Sequence, residues 1–152
     1  MSYIHLITEI KAPVEQCFDL ARSVDFHIKS STKTKERATG GKTTGLIEQG
    51  DEVTFSAVHF GKRQSLTSRI TEYKYPEYFT DEMVKGAFKS LRHHHSFKAL
   101  GNNTIMEDDF NYEVPLGVLG KLFDRLILRK HMENFLKERN NQLKNELEKK
   151  LT

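Results

Sequence analysis

Two histidines and one aspartate in neighbouring segments have the residue types and spacing of a ligand-binding or proton-transfer site. His93 and His95 are two residues apart in the run 91–99, and Asp108 lies in the run 106–114. Successive side chains of a strand point to opposite faces, so the two histidines share a face if their run is a strand. A buried carboxylate is costly unless it is paired, and an imidazole is its natural partner. The pattern predicts an internal cluster that could orient a ligand or transfer protons.

The residue types at alternate positions indicate which face of each predicted strand is buried. The first run places five residues on its inner face: Leu91, His93, His95, Phe97 and Ala99. The second run also places five there: Met106, Asp108, Phe110, Tyr112 and Val114. Its other face carries polar residues: Glu107, Asp109, Asn111 and Glu113. Residues 101–103, Gly-Asn-Asn, are typical of a hairpin turn, so the strands are predicted to pair antiparallel and to bring Asp108 beside both histidines.

Four uses of this cluster are consistent with the sequence. The three residues could satisfy one another and tie two strands together, or they could anchor the polar group of a ligand. They could also catalyse a reaction, with a histidine as general base and Tyr112 or Asp108 as the acid. Metal binding is the least favoured use, because His93, His95 and Asp108 supply three ligands at most. We therefore predict no metal and no cofactor, and the catalytic candidates are His93, His95, Asp108 and Tyr112.

The last third of the chain is predicted to be a helix over residues 116–151 that packs against the sheet. No glycine or proline follows Gly120. Apolar residues recur there at the three-to-four spacing of one helix face: Leu128, Met132, Phe135, Leu136, Leu143 and Leu147. A second apolar set points elsewhere: Leu119, Leu122, Phe123 and Leu126. One straight helix cannot bury both sets against one surface, so we predict a bend or a change of packing partner at residues 126–130.

The remaining segments predict an α+β fold. Strands are expected at residues 2–10, 43–49, 52–60, 63–73, 78–85, 88–100 and 104–114. Two short helices that begin near Pro13 and Asp25 follow the first strand, and the polar residues 30–44 are predicted to form a loop. Strands joined by short turns pair antiparallel. The expected architecture is a curved sheet around the terminal helix, with a cavity between them.

Length and composition limit the classes of protein that this chain could be. Its 152 residues suit one domain, 1–152, and 37% hydrophobic with 30% charged residues is typical of a soluble globular protein. We see no signal peptide and no stretch that could span a membrane, and Cys17 is the one cysteine, so we expect a cytoplasmic protein without membrane insertion. The net charge of +3 is small and no basic patch with interleaved aromatics occurs, which argues against nucleic-acid binding. The oligomeric state stays open.

Three spaced motifs resemble a known family. They are Phe79-x-Asp81-Glu82-Met83-x-x-Gly86-x-Phe88, then His93-x-His95-x-Phe97, then Thr104-x-Met106-x-Asp108-x-x-x-Tyr112-x-x-Pro115-x-Gly117-x-Leu119-Gly120. Together they resemble bacterial SRPBCC proteins of the START-like, helix-grip superfamily, which includes polyketide cyclases and the birch-pollen allergen class. The resemblance covers essentially the whole chain. It implies a seven-stranded antiparallel sheet around a C-terminal helix, an apolar pocket, and hydrophobic-ligand binding as the usual role, with enzymes in only some branches.

We therefore expect a protein that binds a small, mostly apolar molecule. The predicted ligand-contacting residues are Phe55, Leu91, His93, His95, Phe97, Met106, Asp108, Phe110, Tyr112, Leu119, Leu122 and Phe123, with His27 and His59 at the rim. The alternatives are a cyclase, aromatase or dehydratase that uses a cavity histidine as general base, and an interaction module that uses the exposed helix end from Lys137 to Lys150.

Overall fold

The computed structural model describes residues 1–149. The end of the predicted terminal helix, at residues 150–151, lies outside this range. The described residues form seven strands, four α-helices and two short helical turns. In chain order they are β1 (Ser2–Ile10), α1 (Val14–Ala21), α2 (Val24–Ser30), a 3₁₀ turn (Thr32–Thr34), β2 (Arg37–Gly41), β3 (Glu52–His59), β4 (Lys62–Lys74), β5 (Tyr78–Lys85), β6 (Ser90–Leu100), β7 (Asn103–Glu113), α3 (Gly117–Phe123), a π-helical turn (Asp124–Leu128) and α4 (Arg129–Lys149).

The seven strands form one antiparallel sheet in the order β1-β7-β6-β5-β4-β3-β2. This confirms the predicted α+β helix-grip fold, with two short helices after the first strand and a long helix at the end. The β6–β7 hairpin has the predicted turn, and its register pairs His95 with Asp108 and His93 with Phe110. The inner faces of these two strands are therefore adjacent, as the alternation of residue types indicated.

The second strand lies earlier than the sequence suggested. β2 falls inside the segment predicted to be a loop, whereas residues 43–49, predicted to be a strand, contribute only an isolated bridge between Leu46 and Ser23. The strand Arg37–Gly41 is an edge strand that pairs only with β3, so backbone hydrogen bonds define it and its small and polar side chains show no apolar alternation. A Cβ at Gly41 would lie 2.2 Å from the Glu52 carbonyl oxygen, which explains the glycine.

The C-terminal helical region changes character at the predicted position. A π-helical turn, Asp124–Leu128, separates α3 from α4. Below it, α4 buries five residues at helical spacing: Met132, Leu136, Asn140, Leu143 and Leu147. In α3 and at the first position of the turn, the buried residues are Gly120 and Asp124, and the apolar side chains of α3 face outward. A Cβ at Gly120 would lie 1.8 Å from the Pro115 carbonyl oxygen, so this close approach requires a glycine.

Within the described part of the chain, the core consists of two apolar clusters. One includes Ile10, Phe18, Phe79, Phe97, Met106, Leu143 and Leu147. The other includes Ile4, Leu91, Phe110, Tyr112, Met132 and Leu136. Along β6, β7 and α4 alike, the residues between the two clusters are polar: His93 and His95, Asp108, and Asn140. The fold thus positions a layer of polar side chains in the middle of its interior.

Candidate functional site

The polar layer is centred on Asp108, whose side chain is almost completely buried. Oδ1 of Asp108 lies 2.7 Å from Nε2 of His93 and 3.3 Å from Nδ1 of His95. Its other oxygen, Oδ2, accepts a hydrogen bond of 2.7 Å from the Asn140 side-chain amide on α4. The two imidazole rings stack with their centroids 3.7 Å apart. Asp108 therefore links the sheet to the helix and fixes the orientation of both rings.

A second carboxylate, Asp81 of β5, completes this cluster. Its Oδ2 lies 2.8 Å from Nε2 of His95. Both nitrogens of His95 thus face carboxylate oxygens, and both must carry a proton to donate to them. The geometry therefore makes His95 an imidazolium held between Asp81 and Asp108.

The pKa values follow from these contacts. Burial alone would disfavour the charged ring, but hydrogen bonds to Asp108 and Asp81 raise the pKa of His95 to about 9. Burial also opposes ionisation of Asp108, but hydrogen bonds from His93 and His95 outweigh it and hold the pKa of this carboxyl well below its usual range. Burial and the charge of His95 lower the pKa of His93. At neutral pH, His93 is therefore a neutral base that donates Nε2–H to Asp108 and keeps its lone pair on Nδ1.

A cavity of about 210 Å³ adjoins this cluster, between the inner face of the sheet and α4. Most of its lining is apolar and includes Val53, Phe55, Leu66, Leu91, Phe110, Leu128, Met132, Phe135 and Leu136. Phe60, Ser65 and Ala87 also line it and are exposed, which places the mouth between the β3–β4 turn and the segment before β6. Beside the mouth, Nδ1 of His59 lies 2.9 Å from Nε2 of His131.

A further polar group lines the cavity where α2, the residue before β2, and α4 meet. Nε2 of His27 lies 2.5 Å from Oε1 of Glu36 and 3.0 Å from a terminal guanidinium nitrogen of Arg139. Burial would raise the pKa of Glu36, but the neighbouring His27 and Arg139 outweigh it and lower the pKa to about 2. Burial and Arg139 lower the pKa of His27, so its Nε2–H donates to an ionised Glu36. Within residues 1–149, Oε2 of Glu36 and Nε of Arg139 are buried and meet no partner at hydrogen-bond geometry.

Comparison with known proteins identifies the family. A sequence profile described as "Polyketide cyclase / dehydrase and lipid transport" matches residues 10–136. The chain belongs to this polyketide cyclase and lipid transport family. No curated protein sequence matches the chain significantly. Within residues 1–149, no helix combines the length and apolar character needed to cross a membrane.

Solved structures share the fold of this polyketide cyclase family member at low sequence identity. A protein from Thermus thermophilus superposes with a TM-score of 0.73 at 16% identity, over 93% of this chain and 97% of that one. A START superfamily protein from Mycobacterium smegmatis gives 0.69 at 14% identity, over 99% of both chains. The di-domain ARO/CYC StfQ from the steffimycin biosynthetic pathway gives 0.78 at 10% identity, over 98% of this chain and 51% of that one. At these identities the likeness shows a common fold.

The structure places nine of the predicted site residues of this family member at the cavity. They are Phe55, Leu91, His93, His95, Met106, Asp108 and Phe110, with the predicted rim residues His27 and His59. Phe97 and Tyr112 are buried but do not line it. Phe97 packs against Phe18 and Phe79, and the Tyr112 hydroxyl donates to Asp124.

Three predicted wall residues require a correction. Leu119, Leu122 and Phe123 are exposed and lie outside the cavity lining. The reason is the local geometry of α3, which approaches the body of the protein through Gly120 and Asp124 rather than through its leucines. Tyr112 is also a poor acid at this position, because burial and its hydrogen bond to Asp124 raise its pKa.

Sequence reasoning missed four residues of the two hydrogen-bonded polar groups that line the cavity. Asp81 shares strand parity with Phe79 and Met83, and Asn140 lies four residues after Leu136 and three before Leu143, so both are in phase with buried positions. These phases were the available signal. Arg139 is adjacent to Asn140 but off the apolar face, and Glu36 precedes an edge strand that the sequence did not reveal. Neither strand alternation nor helix spacing pointed to either of them.

The cluster also contains residue types that ligate metals. One donor atom each from Asp81, His93 and His95 lies within 4.8 Å of the other two. Two nitrogens and one carboxylate could supply three ligands to a divalent cation, with remaining positions open to the cavity. In the hydrogen-bonded arrangement described above, a proton on His95 instead bridges the ring to Asp81.

Proposed function

We propose that the chain binds a small, mostly apolar molecule in the cavity between the sheet and α4. The observation that carries this proposal is the combination of largely apolar walls with a few fixed polar groups in one cavity. An apolar cavity of about 150 Å³ holds a benzene molecule. A volume of about 210 Å³ therefore suits a ligand of one or two rings rather than a long lipid chain.

Two groups of polar side chains would orient such a ligand. His93, His95 and Asp108 form a rigid polar floor, in which the ring of His95 is stacked between those of His93 and Phe79. Both oxygens of Asp108 already accept hydrogen bonds, so a ligand gains little from that carboxylate. The unpartnered Oε2 of Glu36 and Nε of Arg139 offer one acceptor and one donor. A ligand with a hydroxyl group on an aromatic ring could satisfy both.

Binding of phenol and toluene tests this proposal. We expect phenol to raise the melting temperature and to bind more tightly than toluene, since only phenol can pair with Glu36 and Arg139. In Glu36→Gln the difference between the two probes should shrink, because the ionised acceptor is lost. Isothermal titration calorimetry measures both affinities.

A cavity-filling variant provides the control for the location of the binding site. Ala57 lines the cavity and is buried, so Ala57→Phe should abolish binding of both probes while circular dichroism stays unchanged. The matched substitution Val84→Phe lies at an exposed position and should leave binding intact. Binding that survives in Ala57→Phe, or no binding of either probe to the unaltered protein, would contradict the proposal.

An acid–base enzyme of the cyclase or dehydratase kind is the second candidate. The observation that favours it is His93, a buried, neutral imidazole that lines the cavity and is oriented by Asp108 at 2.7 Å. Its Nδ1 would take a proton from a bound substrate, and the resulting imidazolium would be stabilised by Asp108. On a one- or two-ring polyketide precursor, His93→Gln should reduce kcat far more than affinity. Unchanged turnover in the double variant His93→Phe, His95→Phe would exclude this candidate.

A further inference from the structure

The outer side of residues 116–127 is unusually apolar. Leu116, Val118 and Leu119 are 80%, 82% and 75% exposed, and four further side chains continue the same area: Leu122, Phe123, Leu126 and Ile127. We call these seven residues the α3 surface. Single exposed apolar residues are common in soluble proteins, but a contiguous group of this kind marks an interaction site.

The polar and apolar sides of this segment are reversed relative to an ordinary surface helix. Its buried residues are Gly120 and Asp124, and Asp124 accepts hydrogen bonds from the hydroxyl groups of Tyr112 and Ser2. The segment therefore contacts the rest of the protein through the carboxylate of Asp124 and through Gly120. Its leucines contribute nothing to the core, so the fold itself does not explain them.

The charges around the α3 surface identify what covers it. Four cationic side chains are exposed between residues 114 and 132: Lys121, Arg125, Arg129 and Lys130. The one acidic residue in that stretch is the buried Asp124. Leucine-rich helices with lysine and arginine among the apolar side chains are typical of segments that lie in the interface of an anionic bilayer. We propose that the α3 surface docks on a lipid membrane that carries anionic headgroups.

A second copy of the chain fits this surface less well. A symmetric dimer brings the same patch of two subunits together. It would place the four cations of one copy against the four of the other, and Glu133, the next acid along the helix, already pairs with Lys137. An anionic lipid surface instead receives the leucines and neutralises the cations at once.

The α3 surface lies beside the cavity mouth, so docking would also position the mouth relative to the membrane. Phe123 packs edge-on against Phe60 with ring centroids 5.6 Å apart, and Phe60 lines the cavity. Docking would bring the mouth against the lipid, where small apolar molecules accumulate. The docking itself does not depend on the proposed ligand binding and is tested separately.

Co-sedimentation with vesicles tests the docking. The full chain should sediment with vesicles made from an equal mixture of phosphatidylcholine and phosphatidylglycerol, and much less with phosphatidylcholine alone. High salt should weaken the binding. A cation near an anionic surface improves partitioning about fivefold, so the double variant Lys121→Gln, Arg125→Gln should bind about 25-fold more weakly.

The apolar contribution is tested by Leu119→Ser, Leu122→Ser and Leu126→Ser combined, which should abolish vesicle binding without changing the circular dichroism spectrum. Leu100 is also exposed but lies by the β6–β7 turn, at the end of the sheet away from α3, so Leu100→Ser is the matched control and should bind normally. Absence of binding by the unaltered chain, or unchanged binding by the triple variant, would overturn the proposal. A second contradicting result would combine two observations. Analytical ultracentrifugation would show a dimer that the triple variant no longer forms, and the unaltered chain would not bind vesicles.

Discussion

The interior beside the cavity and the α3 surface contrast with each other, and each departs from the usual distribution of side chains. In the interior, Asp108 and His93 are buried with polar neighbours, in the middle of an apolar core. On α3, leucines are exposed while Asp124 is buried beneath them. Both regions therefore place side chains where their hydration energy alone would not put them.

The difference between the two regions lies in how the unfavourable placement is offset. In the interior, the cost of burying the Asp108 carboxylate is offset locally, because three hydrogen-bond donors reach its two oxygens. On the α3 surface no neighbouring part of the described chain covers the leucines. The interior cluster should therefore be essential for folding stability, whereas the α3 surface should be nearly neutral for stability and important for binding.

The largest expected effect is at Asp108. Asp108→Asn removes one of the two charges that hold His95 protonated and turns one acceptor into a donor that faces either the imidazole N–H groups or the Asn140 amide, so it should lower the free energy of unfolding by about 3–5 kcal/mol. Urea denaturation measures this loss. The control is Asp109→Asn, the next residue on the outer face, which should cost less than about 1 kcal/mol. Equal losses in the two variants would remove the distinction between the faces.

The protonation of His95 gives the next largest effect. Its pKa is raised from 6.5 to about 9 on folding, so the stability it contributes is fully present below pH 6.5 and is lost as pH rises through about 9. The loss should be at most about 3.5 kcal/mol, because one pKa unit corresponds to about 1.4 kcal/mol. Denaturation curves across this window should show the decline in the unaltered protein and a much flatter profile in His95→Gln. The same slope in both proteins would mean that another group titrates.

Substitution of Asn140 should have a smaller effect on the free energy of unfolding, and an apolar replacement should destabilise the fold rather than stabilise it. Asn140→Leu makes the α4 stripe more apolar, yet it should destabilise the fold by about 1–3 kcal/mol because Asp108 loses a donor. The control Asn141→Leu changes an exposed neighbour and should stay within about 0.5 kcal/mol of the parent. Thermal denaturation compares the two. A stabilised Asn140→Leu variant would show that the polar layer is dispensable.

The smallest expected change in stability is on α3. Leu119→Ser and Leu122→Ser alter exposed side chains, so each should change the free energy of unfolding by less than about 0.5 kcal/mol. Urea denaturation checks this. A loss of about 2 kcal/mol or more, roughly that of burying a leucine, would mean that α3 packs against the body of the protein in solution.

Strand alternation predicted much of the fold and part of the site. The parity of residues 91–99 and 106–114 was sufficient to bring His93, His95 and Asp108 together, because the side-chain period of a strand is fixed at two. The same logic placed Phe55 and Leu91 correctly at the cavity. It could not show β2, whose definition depends on backbone pairing with β3.

The α3 region shows where pattern reading fails in principle. Leu119, Leu122 and Phe123 have the spacing of a buried face, and spacing alone cannot say whether the partner surface belongs to the same molecule. The deciding facts are the close approach at Gly120 and the contacts of Asp124, which depend on three-dimensional geometry. Glu36 and Arg139 are likewise brought together by the fold alone.

The most direct test of the account is an NMR spectrum that correlates the imidazole ¹⁵N and ¹H signals at about pH 7.5 during a titration with phenol. We expect His95 to be doubly protonated, His93 to be neutral, and phenol to shift the signals of His27, His93 and His95. The signals of His5 and His94, on the outer face, should stay unchanged. A neutral His95, or phenol shifts that leave the cavity histidines unaffected, would contradict a charged polar cluster beside a ligand-binding cavity.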